Sequence, residues 1–246
     1  GQIKKRIKKT IIARKKYPDE PFIYNLLGVL YAHIESYEES VKNYSIAIKL
    51  NPKYFEAYNN IGVAFTDWKK ISKAIEFFDK ATKINPTYAP AYNNKGNALK
   101  EKGEYELALD CYEKSLSLDP DYIDAIINLG IIWDLMNDFT KAKKYFRQAL
   151  LLVPNNTSVL YNLANCFFSA KDFEQSMAVC QKIIDIDTSF YYAYNRVGLC
   201  AVQLGNIDQA KENFEKAIEI KPDYSEGLIN YGIVLQNLRN YSLATV

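Results

Sequence analysis

Polar and apolar residues alternate along the chain with a helical period, in paired stretches of about three turns each. Within residues 55–88 the two stretches are Phe55–Trp68 and Ile71–Ile84. The same pattern returns every 34 residues without insertion or deletion. Pro52, Pro86, Pro120, Pro154 and Pro222 keep that spacing, Thr188 fills the one rung without proline, and Pro18 extends the ladder backwards. Gly28, Gly62, Gly96, Gly130, Ala164, Gly198 and Gly232 form a second ladder in the same register. Self-similarity at one fixed period predicts a stacked helical array.

With Phe55 as position 1 of its unit, the remaining regularities fall into place. Position 20 is small (Ser40, Ala74, Ala108, Ala142, Ser176, Ala210), and so is position 27 in Ala47, Ala81, Ser115, Ala149 and Ala217. Position 24 is aromatic in Tyr44, Phe78, Tyr112, Phe146 and Phe214. Small residues let two helices approach closely, and the aromatics fill the space beside them. Gly103, Asn137 and Gly205 mark the turn inside each pair, and Ser36, Asp138, Asp172, Asn206 and Asn240 stand where an N-cap is expected. The ladder proline ends the second helix. One pair cannot bury both its faces, so each unit requires neighbours.

These positions together resemble the tetratricopeptide repeat family, over the whole chain. The resemblance implies an all-α fold, a solenoid of antiparallel helix pairs wound into a right-handed superhelix, with the first helix of each pair lining a concave groove. Residues 1–20 read as a basic N-terminal helix ending at Pro18, a half-repeat or cap with Ile3, Ile7 and Ile11 as its apolar stripe. A sharper reading makes it a docking helix for an acidic partner, lipid head groups or RNA. Residues 21–224 form six complete repeats, and residues 225–246 a partial seventh whose second helix starts near Asn240. Both ends fall inside a repeat, so the sequence reads as a fragment of a longer protein. Thr157–Phe190 departs most, with Ala164, Cys180, Ile183 and Thr188 at patterned positions, and is expected to be looser or bent.

Composition changes this picture in two ways. The net charge of +2 hides an asymmetry: residues 1–20 carry eight Lys/Arg against two Asp/Glu, and the remainder 23 against 27. The array proper is mildly acidic and lacks the broad basic surface of a nucleic-acid reader. No apolar run reaches the roughly 18 residues of a membrane span. Cys111, Cys166, Cys180 and Cys200 have no CxxC spacing. They read as small core hydrophobes in a reducing compartment, cytoplasmic or nuclear, rather than as a disulfide or metal framework.

The groove implied by the resemblance is lined by positions 2, 5, 6, 9, 12 and 13. Position 6 carries Asn60, Asn94, Asn128, Asn162, Arg196 and Asn230, and position 9 adds Asn97 and Asn165. An asparagine amide both donates and accepts, so a regular row suits the backbone of an extended peptide, although such asparagines also suit neighbouring helices. The row is similar to that in the repeat superhelix of O-linked N-acetylglucosamine transferases. Ile127, Ile131 and Phe168 supply apolar anchors, and acidic residues outnumber basic ones along the face, which favours a ligand with some positive charge. The clamp with which some family members grip a C-terminal carboxylate is matched only by Asn162, Asn165 and Arg196, and its lysines are absent.

Catalytic chemistry is missing. The one histidine, His33, makes neither a triad nor a metal site, and no GxxxxGK[ST], GxGxxG, HExxH or GxSxG occurs. No catalytic residue, metal ligand or cofactor is assigned. The reading is a non-catalytic interaction scaffold that takes a protein or peptide partner in its groove. The alternatives are the substrate-recruiting region of a larger enzyme of the transferase type named above, and a subunit that self-associates through its open ends.

Overall fold

The computed structural model describes residues 1–244 of the 246, with side chains described through Gln236. Among the described residues there are fourteen helices and no strand: α1 (Gln2–Lys16), α2 (Pro21–Ala32), α3 (Tyr37–Leu50), α4 (Phe55–Asp67), α5 (Ile71–Ile84), α6 (Ala89–Glu101), α7 (Tyr105–Leu118), α8 (Ile123–Leu135), α9 (Phe139–Leu152), α10 (Thr157–Ser169), α11 (Phe173–Ile186), α12 (Tyr191–Gln203), α13 (Ile207–Ile220) and α14 (Ser225–Ala244). They gather into two compact units, Gly1–Asn128 and Leu129–Val246, with the boundary inside α8. The all-α fold of antiparallel helix pairs is as the sequence predicts.

One contact organises five of the six complete pairs. A Cβ built on Gly28, Gly62, Gly96, Gly130 or Gly198 would lie 2.4–2.6 Å from the ring of Tyr44, Phe78, Tyr112, Phe146 or Phe214 respectively. The ring therefore rests on bare backbone, and each of these aromatics is at most 2% exposed. Burying one such side chain contributes about 1.5–3 kcal/mol. Ser40 at position 20 tightens its pair further, donating from Oγ to the Gly28 carbonyl at 2.8 Å.

The repeat Thr157–Phe190 fills the same space with different residues. Ala164 stands where a glycine is usual and Cys180 where an aromatic is usual, and both are fully buried together with Ile183. A methyl at position 8 occupies the volume that a ring at position 24 would need, so the two departures are one size-complementary exchange. They close a cluster with Leu160, Ala193 and Val197. Ser176 donates to the Ala164 carbonyl at 2.9 Å, as Ser40 does in its own pair. Thr188 takes the place of the ladder proline. Asp187 accepts from the backbone N–H and the hydroxyl of Ser189, which stops α11 without a proline, and those bonds hold its carboxyl below the usual range.

Element ends follow local chemistry. α4 stops at Asp67, one residue before the expected Trp68. α1 stops at Lys16, and Tyr17 leaves the helical region at φ −132°, since the residue before a proline disfavours it. Asp138, Asp172 and Asn206 cap their helices through the side chain, whereas Ser36 makes no such bond, and Asn156 caps α10 in addition. The expected turn before Asn240 does not form, because α14 runs unbroken through it. Among the described residues nothing lies within 4 Å of a Cβ on Gly232. The side chain of Asn240 lies outside the described residues.

The turn inside each complete pair places one residue in the left-handed region: Glu35, Lys69, Gly103, Asn137, Lys171 and Gly205, with φ between 59° and 84°. Glycine and asparagine accept that backbone readily, and lysine does not. Lys171→Gly is expected to raise stability by roughly 0.5–1 kcal/mol, seen as a higher denaturant midpoint at unchanged slope. A lower midpoint would contradict the strain.

Candidate first-helix binding face

In the first unit the position-6 asparagines form a chain of cross-links. Asn60, Asn94 and Asn128 each donate from Nδ2 to the Oδ1 of the position-5 asparagine one repeat earlier (Asn25, Asn59 and Asn93), all at 3.0 Å. Asn59 and Asn93 are 5% and 3% exposed. One amide hydrogen of each position-6 asparagine is thus spent on the neighbouring helix. Each bond nets about 0.5–1.5 kcal/mol, and losing one strands a buried acceptor. What stays open on this face is the second amide hydrogen and the carbonyl oxygens. Oδ1 of Asn128 accepts from Lys100 Nζ at 3.2 Å, while that of Asn60 receives only a 3.5 Å contact from Asn59.

Asn97 accepts from the Tyr112 hydroxyl at 2.9 Å. Ile127 is half-buried on the same face. Between α2 and α4 the face opens into a pocket of about 280 Å³, walled by Val29 and Val63, floored by Tyr44 and rimmed by Asn60, His33 and Asp67. His33 bonds through Nδ1 to the Val29 carbonyl at 2.8 Å. Loss of water raises the Asp67 carboxyl above its ordinary range, a shift that nearby Lys69 partly offsets. Lys100 is pushed down by burial.

In the second unit the pairing recurs once, from Asn230 Nδ2 to Asn195 Oδ1 at 3.0 Å. Asn195 in turn donates to Glu226 at 3.2 Å. Arg196 replaces asparagine at position 6 and Tyr161 replaces it at position 5. The guanidinium sits 4.5 Å from the ring centre of Phe168 and 5.9 Å from that of Tyr161, a cation–π arrangement. Arg196 Nε and Asn165 Oδ1 are buried without a partner among the described residues. Asn162 is half-buried and makes no hydrogen bond among the described residues. Ile131 packs against the cluster around Phe146 and Leu163, and Phe168 meets Phe173 edge-on at 5.4 Å, so both also serve the core.

The sequence reading allowed that the asparagines satisfy neighbouring helices, without naming their partners, and it missed the pocket. The asparagine pairing was legible as a recurring separation of 35 residues, which puts positions 5 and 6 of successive first helices side by side. The pocket had no positive signal, because the short side chain of Ala32 creates it.

Models of the tetratricopeptide repeat match residues 55–88, 89–122, 191–224 and 135–194, and a TPR repeat model matches residues 34–67. The chain belongs to the tetratricopeptide repeat family, whose repeats are protein-interaction scaffolds. Heat shock protein STI1 of Saccharomyces cerevisiae is 33% identical over 55 residues, which is 22% of this chain and 9% of the yeast protein. The structure of the APC/C hetero-tetramer Cut9–Hcn1 aligns with 96% of this chain at 16% identity and a TM-score of 0.78, and this chain covers 46% of it. PilW, a type IV pilus biogenesis factor, aligns over 87% of this chain and 98% of its own, at 23% identity and a TM-score of 0.78. YrrB, described as a TPR protein with an unusual peptide-binding site, aligns over 75% of this chain and 95% of its own, at 24% identity and a TM-score of 0.60. These structural likenesses speak for the fold. No helix among the described residues is long and apolar enough to cross a membrane.

Proposed function

We propose that this chain is a scaffold that binds an extended peptide segment of a partner protein along the face of its first helices, and that it works by recognition rather than catalysis. The observation that carries the reading is the asparagine row of the first unit. Its amides are held in register by the pairs Asn60–Asn25, Asn94–Asn59 and Asn128–Asn93, each at 3.0 Å. An amide fixed by one hydrogen bond loses little freedom when it makes another, which lowers the ordering cost of binding. A peptide backbone offers alternating N–H and C=O groups that suit such a row. A peptide-binding site in YrrB, of the same fold, is a precedent for the ligand class.

Selection from a random peptide library displayed on phage, followed by hydrogen exchange with a selected peptide, tests this. The reading expects added protection on α2, α4 and α6. Protection confined to α3, α5 and α7 would contradict it.

A further inference from the structure

Between α6 and α8 the first-helix face carries its own cation. Lys100, at position 12, places Nζ 6.0 Å from the ring centre of Tyr112 at position 24. It donates to Asn128 Oδ1, at position 6 of the next repeat, at 3.2 Å. Between α2 and α4 the same three positions hold Ala32, Tyr44 and Asn60. Alanine stops short of the slot, and the space it leaves is the 280 Å³ pocket, still lined by Tyr44 and Asn60. The pocket is therefore the lysine site of one repeat boundary, emptied at another.

The rim adds what a cation needs. Asp67 enters no ion pair among the described residues, because the nearby Lys69 is engaged with Glu101 at 2.9 Å. His33 is held on the rim by the contact of its Nδ1 with the Val29 carbonyl at 2.8 Å. Asn60 has given an amide hydrogen to Asn25, and its carbonyl oxygen has only the long contact from Asn59. The Val29 and Val63 walls suit a methylene stem, as long basic side chains lie along apolar surface with the charge at the tip. The volume is below the roughly 300–1,000 Å³ of small-molecule sites, and of a size for one side chain.

We propose that this pocket takes one lysine or arginine side chain of the bound peptide, its charge meeting Asp67 and Asn60 and its stem lying between Val29 and Val63. The proposal rests on the reading of the first-helix face as a peptide site, and it names the residue class that anchors there.

The test uses the whole chain and two small probes, N-acetyl-arginine methylamide and its neutral counterpart N-acetyl-citrulline methylamide, followed by the methyl resonances of Val29 and Val63. The arginine probe is expected to shift both saturably, and the citrulline probe to bind more weakly by roughly tenfold. Asp67→Asn should bring the arginine probe down to the citrulline level. Ala32→Lys, which refills the slot as Lys100 fills its own, should abolish the shifts while circular dichroism stays unchanged. Equal binding of the two probes would overturn the proposal, and so would full binding to Ala32→Lys. Library peptides that bind the first-helix face without any Lys or Arg, and are indifferent to Ala32→Lys, would overturn it and leave the broader reading standing. A library that yields no peptide, with the arginine probe still in the pocket, would support this site and sink the broader reading.

Discussion

Gly96→Leu is expected to destabilise the chain by about 1–3 kcal/mol, the usual cost of forcing extra methylenes into a packed core. Even the first carbon of the new side chain would lie 2.6 Å from Tyr112 Cε1. That ring has no room to retreat, because Tyr112 is fully buried and bonds Asn97 through its hydroxyl. The same logic yields a sharper result at the repeat that breaks the pattern. Cys180→Phe alone should be destabilising, since its ring would strike the Ala164 methyl. Combined with Ala164→Gly it should recover most of the loss, recreating the glycine–aromatic contact used by five other pairs. A double-mutant cycle by urea denaturation reads this directly. Additive losses would show that the departures in Thr157–Phe190 are unrelated.

Much of the fold was legible because the period is rigid. Two ladders at one spacing, proline and glycine, place the helix ends and the close contacts of each complete pair. Ala164 and Cys180 lie sixteen residues apart in sequence, and only the packing of α10 on α11 shows that they share one buried cluster. Ser36 looked as good a cap as Asp172, yet only the latter accepts from the helix, at Gln175 N–H. The binding face was legible as a row of residue types and not as a set of bonds. Asn60 and Asn162 look alike in sequence, but Asn60 is tied to Asn25 while Asn162 has no partner among the described residues. An alternation of side chains reports which face a residue occupies. It does not report whether a polar group on that face is already satisfied.

That difference shapes the second expected result. Replacing Asn60, Asn94, Asn128 and Asn162 together with alanine should weaken a library-selected peptide by at least roughly tenfold, from the loss of several hydrogen bonds of about 0.5–1.5 kcal/mol each. The first three substitutions should also lower stability, because each removes a donor from an acceptor on the preceding first helix. Asn162→Ala should cost no stability, so any affinity it loses belongs to recognition alone. Affinities therefore have to be compared well below the unfolding transition of the weakest variant.

The most direct measurement is fluorescence polarisation of one selected peptide against three proteins: the native chain, the quadruple asparagine variant, and Lys80→Ala, Lys114→Ala and Lys144→Ala combined on the second helices. The account predicts a loss of roughly tenfold or more for the asparagine variant and less than about twofold for the lysine variant. The reverse order would place binding on the second helices and leave the asparagines as cross-links between repeats.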